Sequence, residues 1–184
     1  MSKNLRKRGA LFTLDGKKHY PHITVYMTEF PLKNVPEVII RLKKIFSNVR
    51  SFHMKSLEYH QGATGYVDVS FKQARMIARL QKLIVKTLNP LREGLVRKAD
   101  MKKLHALSKR ERHNIKRYGY RSIAPNYRPH LTFTRLQKRK WGMDVLADIP
   151  QKDFSFIARE MVLLRAGKHG TGREVVKRFR LRAR

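Results

Sequence analysis

The sequence lacks cysteine altogether and has few acidic residues, and these absences narrow the classes of protein it can belong to. Without cysteine, disulfide bonds, thiolate nucleophiles and cysteine-based zinc sites are excluded. No run of about 18 apolar residues occurs, so no membrane-spanning helix is expected. The apolar part of the basic N-terminal stretch is too short for the core of a signal peptide. We therefore expect a cytoplasmic protein that does not associate with membranes.

The excess of positive charge is the strongest bulk feature. There are 43 Lys and Arg against 13 Asp and Glu, which gives a net charge of +30 and a pI near 11.2. A field of this sign concentrates polyanions, and neutralisation of phosphates supplies most non-specific binding to nucleic acid. Nucleic acid is therefore the first candidate partner, although charge alone does not choose between RNA and DNA.

Alternating strand and helix patterns predict an α+β fold of antiparallel sheets. Hydrophobic residues make up 41% of the 184 residues, enough for one domain or for two small lobes that share a core. Apolar spacing and caps predict helices, and β-branched and aromatic runs around turn residues predict strands and hairpins. The predicted helices are 35–49, 76–88, one opening at Ser108 and closing at Gly119, and a short one within 138–148; the predicted strands are 10–14, 22–28 and 127–136, with hairpins within 52–71 and 154–181.

The two halves of the chain resemble each other. Each begins with a Pro-His-x-Thr sequence, passes through a helix and reaches a hairpin whose turn contains His, Gly and Thr-Gly. Gly65 follows His22 by 43 positions, and Gly172 follows His130 by 42. This indicates a duplicated unit, and we expect one bilobal domain over 1–184. Its lobes would be formed by halves of roughly 1–90 and 91–184, with exchange of strands between them left open.

The chemistry is carried by the motifs Pro21-His22-Ile23-Thr24 and Pro129-His130-Leu131-Thr132. Side chains alternate along a strand, so each His shares a face with the Thr two residues later. Two such strands related by a pseudo-two-fold axis would place the imidazoles on opposite sides of one cleft. Phosphoryl transfer needs a general base on one side and a general acid on the other, and histidine suits both roles. The Thr hydroxyls can donate to the non-bridging phosphate oxygens, and no metal is required.

At these motifs the sequence resembles the 2H phosphoesterase superfamily, and within it the bacterial RNA 2′,3′-cyclic phosphodiesterases, also called 2′-5′ RNA ligases. The resemblance implies two pseudo-symmetric lobes of antiparallel sheet with outer helices around a central cleft. It also implies metal-free hydrolysis of a 2′,3′-cyclic phosphate to a 2′-phosphate, with the making or breaking of 2′-5′ linkages as a related reaction. By this analogy His130 is the base that activates water and His22 is the acid. The symmetry of the motifs leaves that order open.

Further residues are candidates for binding the substrate. Tyr20, Tyr26 and Tyr127 flank the motifs and could stack on bases, the alternative being ordinary aromatic residues of strands. Arg128 precedes the second motif and is a candidate phosphate contact, and Thr134 is predicted to share the face of His130. The basic segment 91–121 is either a phosphate-contact element or a solvated helix; its cations include Arg110, Arg112, Lys116, Arg117 and Arg121.

We therefore expect a monomeric enzyme that acts on RNA 3′ ends. No cofactor or metal is expected, because the remaining histidines do not have the spacing of metal ligands. Two alternatives stay open: an RNA-binding protein that retains the fold without turnover, and a 2H enzyme that acts on a small cyclic nucleotide.

Overall fold

The structure is a computed structural model, and it describes residues 2–140, 144–147 and 150–183. Helices and antiparallel strands alternate along this part of the chain, joined by short 3-10 turns. In chain order the elements are α1 (Ser2–Arg6), α2 (Val35–Phe46), β1 (Phe52–Met54), β2 (Ser56–Gln61), β3 (Tyr66–Phe71), α3 (Arg75–Leu88), α4 (Lys98–Met101), α5 (Lys109–Tyr118), β4 (His130–Arg135), β5 (Phe156–Ala158), β6 (Glu160–Ala166) and β7 (Gly172–Arg180).

The chain divides into two compact units, and each takes segments from both halves of the sequence. The first unit comprises the described residues of Met1–Thr24, Phe52–Lys72 and Pro129–Arg178. The second comprises those of Val25–Ser51, Gln73–Arg128 and Phe179–Arg184. Both H-x-T motifs therefore belong to the first unit.

The first unit is built on antiparallel pairing. A three-stranded sheet has the order β2-β3-β4, while β1 pairs with β5 and β6 pairs with β7. β3 is buried along almost its whole length, and Val67 and Val69 are inaccessible to solvent. Phe133 of β4 stacks on Tyr59 of β2, with ring centroids 5.8 Å apart. The mixture of helices with antiparallel sheets confirms the α+β prediction.

The second unit packs amphipathic helices around an apolar interior. α2 buries Val38, Leu42 and Phe46, at the helical spacing seen in the sequence. α3 lies against α2 and contains a buried Gln81. The Gln81 amide donates to the carbonyls of Val25 and Ser122, which satisfies a polar group that would otherwise be costly to bury.

Helix α5 has well-formed ends. Ser108 Oγ accepts from the Glu111 backbone N–H, and the Glu111 carboxylate accepts from the Ser108 N–H at 3.0 Å, which completes the predicted capping box. Gly119 ends the helix with φ of 68°, a left-handed conformation that glycine adopts without strain. Buried Arg92 donates to the carbonyls of Lys116 and Arg117, each at 2.9 Å, so the last turn is also held by a side chain.

Several predicted elements differ from the structure. Residues 10–14 contribute only a bridge from Ala10 to Leu136, and the first motif forms bridges at Tyr20 and Ile23 instead of a continuous strand. The two bridges have different partners, Gly172 for Tyr20 and Leu131 for Ile23, so this segment does not continue a single ladder. The predicted helix within 138–148 is a 3-10 turn at Lys138–Lys140, and 144–147 is not helical. Residues 141–143 and 148 lie outside the described chain.

The first two predicted helices agree with the structure to within a few residues. α2 ends at Phe46 instead of 49, and α3 begins one residue earlier than predicted. The two predicted hairpins are present as β2-β3 and β6-β7. Among the described helices, none has the combination of length and apolar character that crossing a membrane requires.

Candidate active site

The two H-x-T motifs lie side by side in the first unit, joined by an antiparallel bridge between Ile23 and Leu131. If this register continued by one residue in each direction, His22 would lie opposite Thr132 and Thr24 opposite His130. Residues directly opposite in an antiparallel pair share a face, with Cβ atoms about 4.5–5.5 Å apart. In a regular antiparallel pair, diagonal neighbours such as His22 and His130 would lie about 7–8 Å apart. The charge of His130 contributes to the lowered pKa of His22, which agrees with such proximity. Ile23 and Leu131 face the other way.

The His22 imidazole has a defined tautomer. Its Nδ1 lies 2.8 Å from the Tyr20 carbonyl oxygen, which can only accept, so Nδ1 carries the proton. Nε2 is then the nitrogen that can exchange a proton with a substrate. Burial lowers the pKa of His22 below its ordinary value of 6.5, and the charge of His130 lowers it further. The hydrogen bond to the Tyr20 carbonyl acts in the opposite direction and raises this pKa. The neutral form is therefore favoured in the absence of substrate.

His130 opens β4 and is half-buried. On its other side β4 pairs with β3, where Ser70 lies opposite His130 and Asp68 lies opposite Thr132. The Ser70 hydroxyl forms a hydrogen bond with β2, donating to the Glu58 carbonyl oxygen at 3.1 Å. Asp68 is 5% exposed and shares the face of the motif residues. This carboxylate was not among the residues predicted from the sequence, although an acidic residue within the apolar run of β3 was a signal for it.

A β-bulge changes which residues of β4 share the face of His130. Asp68 pairs with Thr132 and the preceding Val67 pairs with Thr134, so Phe133 is the extra residue. Thr134 is consequently turned into the core: it is fully buried, and its hydroxyl donates to the Phe12 carbonyl at 2.7 Å. The expected alternation 130-132-134 is therefore broken, and Thr134 has a structural environment instead of a place beside His130.

Because of the bulge, Arg135 lies on the face of His130, where a regular alternation of side chains would have placed Thr134. It pairs with Tyr66, and its guanidinium lies 5.1 Å from the centre of the Tyr66 ring. Its Nε donates to the Thr64 carbonyl at 3.0 Å, which fixes the side chain near the end of the β2-β3 hairpin. No sequence signal revealed this residue, because a bulge is a feature of pairing between strands.

Gly172, at the start of β7, lies against the first motif. Its carbonyl accepts from the Tyr20 N–H at 3.0 Å. A Cβ at this position would lie 3.5 Å from His22 Nδ1 and 2.8 Å from Leu164 Cδ1. The absence of a side chain therefore allows the His22 ring to pack closely over the strand.

The remaining candidates are less clearly connected with the motifs. Tyr20 is half-buried beside Gly172 in the first unit. Tyr26, Tyr127 and Arg128 belong to the second unit. The Tyr26 hydroxyl donates to the Tyr118 carbonyl at 2.6 Å, and burial raises its pKa to about 12. Tyr127 is buried, which raises its pKa, whereas Arg128 is exposed. Contact of these four residues with a substrate stays a prediction.

Metal ligands are not clustered in the described ranges: no group of three or more His, Cys, Asp or Glu residues there is arranged to hold an ion. The candidate site consists of the imidazoles and hydroxyls of the two H-x-T motifs around the Ile23–Leu131 bridge. The carboxylate of Asp68 and the guanidinium of Arg135 lie on the same face of the sheet. Such a set can supply a proton donor, a proton acceptor and hydrogen bonds to an oxyanion.

Comparison with known proteins identifies the class. The sequence profile of the 2′-5′ RNA ligase superfamily matches residues 5–170, so the chain belongs to that superfamily of 2H phosphoesterases. This confirms the resemblance stated from the motifs, and it supports an enzyme of phosphoester chemistry. No sequence among curated proteins matches the chain significantly.

Solved structures agree on the fold. One, described as a phosphoesterase, superposes with a TM-score of 0.58 at 15% identity, covering 98% of this chain and 88% of the other. A second, E. coli LigT complexed with NADP+, gives a TM-score of 0.54 at 13% identity with the same coverage. At these identities the likeness establishes the architecture.

Proposed function

We propose that this protein is a metal-independent phosphodiesterase that hydrolyses a 2′,3′-cyclic phosphate at an RNA end to a 2′-phosphate. The observation that carries the proposal is the bridge between Ile23 and Leu131, which brings both H-x-T motifs onto one face. A single motif supplies one proton-transfer group, whereas hydrolysis of a phosphodiester needs one on each side of phosphorus.

In the proposed reaction, a water oxygen attacks phosphorus and the bond from phosphorus to O3′ breaks. One histidine accepts a proton from the water, and the other donates a proton to O3′, which leaves the phosphate on O2′. Thr24 and Thr132 donate to the non-bridging oxygens, where negative charge is concentrated in the transition state. Arg135 is a candidate for a further contact with those oxygens because it lies on the same face.

Two observations support RNA as the substrate class. The chain carries a net charge of +30, which favours a polyanion over a free nucleotide. The LigT structure was obtained as a complex with NADP+, a molecule that carries a phosphate on a ribose 2′-oxygen. The proposed product has the same group.

The first test is hydrolysis of a short RNA ending in a 2′,3′-cyclic phosphate, with EDTA present. We expect His22→Ala and His130→Ala each to lower the rate by about 10²–10⁴. His105→Ala is the matched control, since His105 is exposed and lies in the second unit. Phosphorus NMR should identify a 2′-phosphate product.

Turnover by the wild type that persists in both site variants would contradict the two-histidine mechanism. RNA binding without turnover in any of the proteins would instead favour a binding module. Equal turnover of a mononucleotide cyclic phosphate, with little dependence on salt, would favour the small-nucleotide enzyme.

The roles of the two histidines can be separated with a better leaving group. The family resemblance makes His22 the acid, whereas its lowered pKa favours the neutral form and hence the role of base. A cyclic substrate with sulfur in place of O3′ does not need protonation of the leaving atom. The variant that lacks the acid should therefore recover most of its rate on this substrate, and the variant that lacks the base should not.

A further inference from the structure

Helix α5 has one continuous basic face. Five of its ten residues are Lys or Arg, compared with 43 of 184 in the whole chain. At about 100° per residue, the cationic side chains and one histidine occupy an arc of about 160° that contains no acidic residue. Asn114 and Ile115 are buried on the other side. The members of this α5 basic face are Lys109, Arg110, Arg112, His113, Lys116 and Arg117, all of them exposed.

Several cations of this face have no acidic partner among the described residues. In the part of the chain that the structure describes, no carboxylate forms an ion pair with Lys109, Arg110 or Lys116. The acidic residue of the helix, Glu111, accepts from Ser108 in the capping box. Like charges three or four residues apart, such as Arg112 and Lys116, destabilise an isolated helix. Burial and capping must offset this cost.

The cations are nevertheless displayed on a fixed element. Both ends of the helix are capped, and buried Arg92 holds the carbonyls of Lys116 and Arg117. Arg92 also donates to the Leu95 carbonyl at 2.6 Å, which ties the preceding loop to the same point. The face is therefore a preorganised surface, which lowers the entropic cost of binding a ligand.

We propose that the α5 basic face binds the phosphates of double-helical RNA, as a contact additional to that with the reacting RNA end. Side chains spread over about 160° of a helix point to both sides of it, and the two strands that flank a groove offer phosphates on both sides together. The arc contains no Phe, Tyr or Trp, and five of its six members are Lys or Arg, which bind phosphates, so we expect the contact to be independent of sequence. The choice of RNA among polyanions rests on the proposed function.

The test is binding of an RNA hairpin with a 3′-hydroxyl end, measured by fluorescence anisotropy between 50 and 300 mM salt. One variant combines Lys109→Gln, Arg110→Gln, Lys116→Gln and Arg117→Gln. The control removes the same charge from exposed positions of α2 and α3, as Lys43→Gln, Lys44→Gln, Lys82→Gln and Lys86→Gln. Loss of each phosphate contact should make the slope of log K against log salt shallower by about 0.9. We expect a change of about 3–4 for the α5 variant and much less for the control.

Three results would overturn the inference. Equal weakening in both variants would show that total charge, and not this face, binds the hairpin. A greater loss on single-stranded RNA of the same length, or an equal loss on a DNA duplex, would contradict binding to double-helical RNA. A hairpin with a 3′-hydroxyl end has no cyclic phosphate to hydrolyse, so the outcome of this binding experiment is independent of the outcome of the hydrolysis experiment.

Discussion

Substitution of Gly172 by alanine tests whether close packing at this glycine positions His22. The added Cβ would lie 2.8 Å from Leu164 Cδ1, whereas carbon atoms in good contact are about 3.5–4.0 Å apart. A displacement of about 1 Å must therefore be absorbed, either by the Leu164 side chain or by the strand that carries Gly172. Movement of the strand would carry Tyr20 with it through the bond to the Gly172 carbonyl, and His22 is bonded to Tyr20.

The expected effect is a loss of activity in a protein that remains folded. A misplacement of about 1 Å can cost about 10²-fold in rate, so kcat/KM should fall by about 10–100-fold. Overpacking costs about 1–3 kcal/mol, and restriction of the unfolded chain returns about 0.4–1 kcal/mol. The free energy of unfolding should thus fall by no more than about 2–3 kcal/mol.

Gly62→Ala is the matched control, because a Cβ there would meet only the Tyr66 carbonyl, at 3.8 Å. The assay is hydrolysis of the cyclic-phosphate RNA, with urea unfolding of the same preparations. A Gly172→Ala protein with wild-type kcat/KM would refute the reasoning, since Leu164 alone would then have moved. Equal losses in Gly62→Ala would show that the effect is not specific to the packing of His22.

Three further predictions follow from the same geometry. Thr134→Val should lower the free energy of unfolding in urea by about 1–3 kcal/mol, because the Phe12 carbonyl oxygen loses its hydrogen-bond donor. Thr132→Val should instead remain stably folded and lose activity. If the positive charge of His130 contributes to the lowered pKa of His22, then His130→Gln should raise that pKa in an NMR titration, and an unchanged value would contradict the proximity of the rings. Because the pKa of His22 is lowered on folding, stability should fall as pH decreases from about 6.5 toward that lowered value, and His22→Gln should remove this part of the pH dependence in urea titrations.

The helices and the paired motifs were predictable because their signals are local. The apolar spacing of α3 and the capping box of α5 each need only a few neighbouring residues to be recognised. The motif residues were recognisable because the same tetrapeptide pattern occurs twice. In each case the sequence signal and the final structure depend on the same short stretch of chain.

The features that the sequence did not reveal depend on pairing between distant segments. The bulge at Phe133 arises from the register of β4 on β3, and it exchanges Thr134 for Arg135 on the face of His130. The segment of the first motif forms single bridges to two different partners, at Gly172 and at Leu131, instead of one continuous ladder. The packing of Gly172 on His22 likewise depends on how two distant segments meet, and neither segment alone indicates it.

The bridge between Ile23 and Leu131 also has a consequence for how the protein is made. The two residues are 108 positions apart, and translation at about 5–20 residues per second takes roughly 5–20 s to cover that distance. During this interval the nascent chain already contains His22 and Thr24, but the strand that supplies their counterparts has not been synthesised. A prematurely terminated chain that ends before Pro129 would contain the first motif but no second histidine, and we expect it to be inactive. The proposed activity would therefore appear only in chains long enough to include β4.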